Sequence, residues 1–377
     1  MQDVFIVADN IVSPLGFTSA DNFARLKKVE SGVQAHTDVT MSATPFYAAL
    51  FNKEQQFIAN NKNNSYTKFE QILIASVSDV LQQTPIDVAD KKTLLIISST
   101  KGNISLLETE EYNEELQKRI SLNTSAGLVA DYFGFTNKTL VVSNACISGL
   151  LAMITGMRLI QSGQYENVVV AGADVITKFV LSGFQSFQAV SVELCKPFDE
   201  ARTGINLGEG AATVILSSNP QYANGIKLKG GSTGNDANHI SGPSRTGDEL
   251  CLVINKTLRE AQLKASDIDF ISAHGTATIY NDEMEAKAIT SANLQSVPVN
   301  SLKAYYGHTL GAAGLIESII SIHSLKENVV IPTLGFEKMG VTQPINICNT
   351  FLHGNYTNSL KTASGFGGCN AALVIGK

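Results

Sequence analysis

Apolar residues along this chain fall into short blocks separated by turn-forming residues, and the period inside the blocks changes from one to the next. V-F-I-V-A near the start is a continuous apolar run that reads as a buried strand; the turn-rich D-N-I-V-S-P-L-G and a polar helix through Asn22 to Lys28 follow it. Residues 52–66 are rich in Asn, Lys and Gln and read as exposed. From Tyr66 to Leu81, F-E-Q-I-L-I-A-S-V-S-D-V-L returns apolar positions at helical spacing. L-L-I-I-S-S-T, T-L-V-V-S and V-V-V-A-G-A-D are continuous runs bounded by turns, the pattern of strands covered on both faces.

A second series begins near Ile226. It comprises I-K-L-K-G-G, a helix around Leu250 to Gln262, the strand I-D-F-I-S-A, a helix from Asp282 to Ala292, V-P-V-N-S, a helix after His308 and a final A-A-L-V-I-G strand. Strand, helix, strand alternation predicts right-handed crossovers and a largely parallel sheet with helices on its faces. The break S-N-P-Q-Y-A-N-G, near Asn219 to Gly225, divides the chain into two similar-sized α/β halves, residues 1–222 and 223–377. Identity between the halves is too weak for a repeat to be read from residues alone.

Composition narrows the class. With 377 residues, 44% hydrophobic, 16% charged and 30 glycines, the chain has ample core and many tight turns, which excludes a disordered or fibrous protein. A net charge of −6 argues against a general polyanion-binding face, so no nucleic-acid partner is expected. No apolar stretch reaches the roughly 20 uncharged residues that span a bilayer. M-Q-D-V-F-I-V-A-D-N has no basic n-region or cleavage site, and five scattered cysteines fit a reducing compartment. These features predict a cytoplasmic protein.

Three residues stand where chemistry is expected. Cys146 follows T-L-V-V-S and precedes the helix-like I-S-G-L-L-A-M-I-T-G-M-R-L-I, so its sulfur would lie near free N–H groups and a positive dipole end that favour thiolate. A cysteine taken alone is more often a small buried hydrophobe, and Cys195, Cys251, Cys348 and Cys369 are read that way. His274, in A-H-G-T-A-T, and His308, in Y-Y-G-H-T-L-G-A-A-G, also follow strand-like segments. His36, His239, His323 and His353 lack such a setting and are read as structural. Ligands of open α/β sheets gather at the carboxyl ends of strands, which is where Cys146, His274 and His308 fall. Two histidines and a thiol without local ligand spacing make a poor metal site, so no catalytic metal is expected. Cys/His acyl chemistry fits better. His308 at a helix start is biased toward its neutral form and could donate to a carbonyl.

Six short motifs in order, S-P-L-G, N-A-C-I-S-G, K-P-F-D-E-A-R-T-G-I-N-L-G-E-G-A, A-H-G-T-A-T with N-D-E-M-E, L-K-A-Y-Y-G-H-T-L-G-A-A-G and G-F-G-G-C-N, resemble the β-ketoacyl-acyl-carrier-protein synthases nearly end to end. The resemblance implies a thiolase-like α/β fold, two similar halves in a five-layer αβαβα arrangement. It implies that Cys146 carries an acyl thioester while His274 and His308 hold a malonyl thioester carbonyl through decarboxylation. Backbone N–H groups of Cys146 and Phe366 would form the oxyanion hole, and Phe366 would be the gate. Lys303 would pair with Glu317. Thr276 and Thr278, with Gly365 and Gly367, would contact substrate, and Asp282 and Glu285 would organise the site, in some members around a cation.

No resident cofactor is implied, because phosphopantetheine arrives on acyl carrier protein. Implied partners are acyl carrier protein, acyl and malonyl thioesters, and a second subunit in a homodimer or in a heterodimer with a related synthase. Departures bear on substrate. Cys369 stands where Thr is usual, Ser364 where an aromatic is frequent, and Tyr305 and Tyr306 before G-H where small or apolar residues are common. A pigment, polyene or polyketide pathway therefore stands beside fatty-acid elongation. Rival readings are a chain-length-factor-like partner subunit, against which Cys146 counts, a true thiolase, which the paired histidines disfavour, and a thioester hydrolase, for which no acid partner is evident.

Overall fold

The computed structural model describes residues 2–52, 55, 57, 65–237 and 242–377. Most of the 52–66 segment, and His239, lie outside the described residues. Ten strands form the main sheet: β1 (Val4–Val12), β2 (Thr93–Ser98), β3 (Leu140–Val142), β4 (Asn167–Asp174), β5 (Gly210–Ser217), β6 (Lys227–Asn235), β7 (Phe270–Ser272), β8 (Val299–Asn300), β9 (Asn358–Gly365) and β10 (Cys369–Gly376). Their spatial order is β8-β7-β9-β10-β6-β1-β5-β4-β2-β3. Read outward from the centre, β1-β5-β4-β2-β3 and β6-β10-β9-β7-β8 are the same winding twice. The two sets meet where Val4 and Phe5 pair antiparallel with Leu228 and Lys227.

Strand periodicity builds the layers. Leu94 and Ile96 of β2 enter one core while Leu95 and Ile97 enter another; in β10, Leu373 and Ile375 face the first core and Ala372 and Val374 a third. Alternate residues point to opposite faces, so apolar residues at every position mean that both faces are covered. The shared core lies around α3 (Ser148–Gln161) and α6 (Ala313–Glu327), each touching strands of both sets. Helix α1 (Lys68–Gln82) and α2 (Leu122–Phe133) cover the outer face of the first set, and α4 (Asp248–Glu260) and α5 (Ile279–Ser291) that of the second. The result is the αβαβα stack. Helix α6 is buried on almost every side because both of its faces meet sheet, which explains an apolar composition without a polar stripe.

The sheet is mixed, which corrects the expectation of a largely parallel one. β2 pairs parallel with β3 and β4, and β7 with β8 and β9, but every other neighbouring pair is antiparallel. The reading from sequence passed over G-A-A-T-V-I-L-S and N-S-L-K-T-A-S-G, which are β5 and β9. Only Phe366, Gly367 and Gly368 separate β9 from β10, too few for a crossover, so the two must form a hairpin.

Candidate active site

Cys146 lies between β3 and α3, and His308 lies between β8 and α6, equivalent places in the two windings. Their helices approach end to end through Gly149 and Gly314, each the second residue of its helix. A Cβ on Gly149 would stand 2.8 Å from the Gly311 carbonyl, and one on Gly314 would stand 2.9 Å from the Leu150 backbone nitrogen. Strain gathers at the same loops: Ala145, Ala277 and Leu310 hold φ of +43°, +61° and +49°, left-handed values that non-glycine residues adopt at a cost.

Each loop is pinned. The Ser148 hydroxyl accepts from Asn144 N–H at 2.8 Å and donates to the Ala145 carbonyl at 2.6 Å, fixing the turn that presents Cys146. His308 N–H donates to the Asn206 carbonyl at 2.7 Å, and the His308 carbonyl accepts from Gly208 N–H at 3.1 Å. His274 N–H and Gly275 N–H each donate to Glu285 at 2.8 Å, and Thr362 donates its hydroxyl to the same carboxylate at 2.7 Å. Asp282 accepts from Thr276 N–H at 2.9 Å, Ala277 N–H at 3.2 Å and Phe198 N–H at 2.7 Å. Donors face both oxygens of Asp282 and of Glu285, so the two carboxyl groups tie the His274 loop to α5. At the end of β4, Asp174 accepts from Ser99, Thr100, Lys101 and Gly311, tying the first winding to the loop that carries His308.

Cys146, His274 and His308 open on one cavity of about 440 Å³, which Thr276, Thr278, Ser364, Gly365 and Phe366 also line. The two imidazole rings stand edge to face at 5.3 Å. Phe366 lies at the mouth, stacked on Phe184 at 5.7 Å and edge-on to Phe187 at 5.5 Å, while its backbone N–H faces the Cys146 sulfur. Lys303 and Glu317 form an ion pair buried behind the cavity wall. Gly367 belongs to the β9–β10 turn, away from the cavity lining.

The electrostatics differ from expectation at the sulfur. Burial pushes the Cys146 thiol up to about 12, with Cys369 adding to the rise and Lys303 and the Phe366 N–H opposing it. Helix α3 starts two residues beyond Cys146, so its positive end works against this rise. Both histidines fall well below 6.5, first by burial, then by the lysine charges, and each is a neutral ring. Their Nδ1 atoms are buried without a partner. Asp282 is pushed up to about 7 by burial.

Sequence reasoning missed Lys361, Asp174, Asn206, Phe184 and Phe187. No local pattern marked any of them; they act through position alone. Cys369, read as an isolated core thiol, sits against the nucleophile's loop, with its sulfur 3.7 Å from the Asn144 carbonyl. His36 and His323 are structural, bonded to the Ala48 carbonyl and to Asp9.

The N-terminal domain of β-ketoacyl synthase matches residues 3–221, and its C-terminal domain matches residues 226–337. The chain belongs to the β-ketoacyl synthase family. This makes it a condensing acyltransferase by class. It is 27% identical to the 3-oxoacyl-[acyl-carrier-protein] synthase 2 of Vibrio cholerae, across 99% of this chain and 98% of that one. Two solved structures share the fold over the whole chain: the ishigamide ketosynthase/chain length factor, at TM-score 0.90 and 22% identity, covers 99% of that chain, and the ketosynthase ApeO in complex with its chain length factor ApeC from Xenorhabdus doucetiae, at 0.89 and 24%, covers 98%. Among the described residues no helix is long and apolar enough to cross a membrane.

Proposed function

We propose that this β-ketoacyl synthase is of the Cys-His-His type and condenses an acyl group held on Cys146 with a malonyl group delivered by acyl carrier protein, giving a 3-oxoacyl thioester and carbon dioxide. What carries this reading is the opening of one thiol and two neutral imidazoles on a single cavity. With its thiol raised by burial, Cys146 passes its proton to a neutral imidazole as the sulfur attacks the incoming thioester, and the imidazole hands that proton to the departing pantetheine thiolate, so the acyl group stays on sulfur and the ring returns to neutral. The N–H groups of Cys146 and Phe366 meet the tetrahedral oxyanion, each such donor being worth about 2.7–4 kcal/mol. In the second half-reaction, His274 and His308 donate to the malonyl thioester oxygen while its carboxylate leaves as carbon dioxide. The electron pair moves through the enolate to the acyl carbon, and the sulfur of Cys146 departs.

In this reading Lys303 and Glu317 support the imidazoles from behind, and Thr276 and Thr278, whose hydroxyls lie 2.8 Å apart, meet the pantetheine arm with Gly365. Asp282 and Glu285 hold the His274 loop. The reaction needs no resident cofactor or metal. Residues 1–222 would supply the nucleophile and 223–377 both histidines. The working protein would be a dimer, with a second copy or with a related subunit of the chain-length-factor kind that the two structural neighbours name. Ser364 on the cavity wall leaves room that a large ring would fill, which favours an acyl chain bulkier or stiffer than a short saturated one.

The test is reconstitution with acyl- and malonyl-acyl-carrier protein. Cys146→Ala should abolish product while retaining malonyl decarboxylation, and His308→Ala should cripple decarboxylation while retaining acyl loading; unchanged condensation in either variant removes the mechanism.

A further inference from the structure

Behind the cavity lies a second lysine that the roles above leave unused. Lys361 stands on β9 and has no exposed surface. Its Nζ lies 3.0 Å from the Ser272 carbonyl, 3.1 Å from the Ala273 carbonyl and 2.7 Å from Glu317 Oε2. The ammonium thus donates to two carbonyls, those of the last peptides before His274, and forms an ion pair with the third oxygen. The next residue along, Thr362, bonds Glu285, whose carboxylate receives His274 N–H. Adjacent residues of one strand therefore grip the backbone of His274 from both faces of the sheet. Glu317 is forked between Lys303 and Lys361, leaving the buried trio with one positive charge in excess.

We propose that Lys361 is a positioning residue for the condensation: it fixes the peptide that carries His274 and, with Lys303, keeps a net positive charge beside both imidazoles. The inference rests on the decarboxylative reading for its catalytic meaning. An excess cation disfavours a second positive charge on either ring, so both stay neutral, and it favours the negative charge that builds on the thioester oxygen as carbon dioxide leaves. The lowered affinity of both rings for protons agrees, since Lys303 and Lys361 each contribute to it. The other charged or titratable groups facing the pair are Glu317 behind both, Glu285 and Asp282 behind the His274 loop, Asp174 through Gly311, Tyr306 beside Glu317, and the Cys146 thiol.

The test compares wild type, Lys361→Met, Glu317→Gln and the double variant by two readouts. One is titration of the imidazoles by NMR of histidine labelled at Cε1, with signals assigned through His274→Gln and His308→Gln; the other is the pH profile of malonyl-acyl-carrier-protein decarboxylation. Lys361→Met removes the excess charge. Its imidazole midpoints should rise by on the order of one pH unit, and decarboxylation at neutral pH should fall on the order of tenfold. Glu317→Gln adds a charge, so its midpoints should move down. The double variant restores one net charge, and its midpoints should return toward wild type. If Lys361→Met alone fails to fold, the double variant still has to titrate above Glu317→Gln. Equal midpoints in all folded variants, with only thermal stability changed, would reduce Lys361 to a structural lysine and overturn the proposal. Midpoints that move as expected in a protein that never decarboxylates malonyl groups would uphold the electrostatic role and sink the decarboxylative reading instead.

Discussion

The neutral imidazoles have a consequence for stability as well as for chemistry. His274 and His308 bind protons well below 6.5 in the folded chain and near 6.5 when unfolded, chiefly because burial disfavours the charged ring. As pH falls through 6.5 the unfolded chain takes up protons that the native state refuses, so native stability, fully present above that value, is progressively lost. Asp282 works in the opposite sense. Its folded carboxyl titrates at about 7 against 3.8 unfolded, so its contribution fades as pH rises through that window. The histidine part can be isolated by comparing wild type with His274→Gln/His308→Gln. Between pH 7.5 and 5.5 the unfolding midpoint of the double variant should drop less than that of wild type; parallel decline in both would mean that the rings are ordinary.

Among the elements, the junction of α3 and α6 sets the distance between thiol and imidazole. Gly149→Ala places a methyl 2.8 Å from the Gly311 carbonyl and 3.0 Å from the Leu315 nitrogen, backbone atoms that cannot turn aside. Overpacking of this kind costs about 1–3 kcal/mol. We expect a lower unfolding midpoint and slower acyl loading, because Gly149 directly follows Ser148, whose hydroxyl fixes the turn that presents Cys146. Gly127→Ala makes the contrast: it lies inside α2 with nothing within 4 Å of the added carbon, and it should stabilise the protein by about 0.5–1 kcal/mol without touching activity. Thermal unfolding of both variants, with loading rates, checks the pair; equal effects would show that helix spacing does not govern the site. Much at this scale was legible in the chain. Continuous apolar runs disclosed β2, β3 and β4 because a strand covered on both faces needs no polar alternation. β9 escaped notice since Asn358, Ser359, Lys361 and Thr362 break the apolar pattern, and what buries them is a network of partners from β7, the turn before it, α5 and α6 that lie far away in sequence.

At the scale of the whole molecule, two equal windings meet along a short antiparallel seam and share one helical layer, which explains how a thiol from residue 146 and rings from residues 274 and 308 face one another. That the reactive residues lie after strands could be read from the sequence, and the ordered motifs carried their grouping. The resemblance implied two similar halves, but their shared strand order could not be read from the residues, because two halves may keep a winding while few side chains remain alike. Nor could the burial that raises the Cys146 thiol, or the charge interaction with Cys369 that adds to it. The most direct test of the account is the intact mass of the protein after incubation with acyl-acyl-carrier proteins of different chain lengths. The account predicts an added mass of one acyl group, absent in Cys146→Ala; failure of every donor to add mass to the wild type, or equal addition to Cys146→Ala, would contradict it.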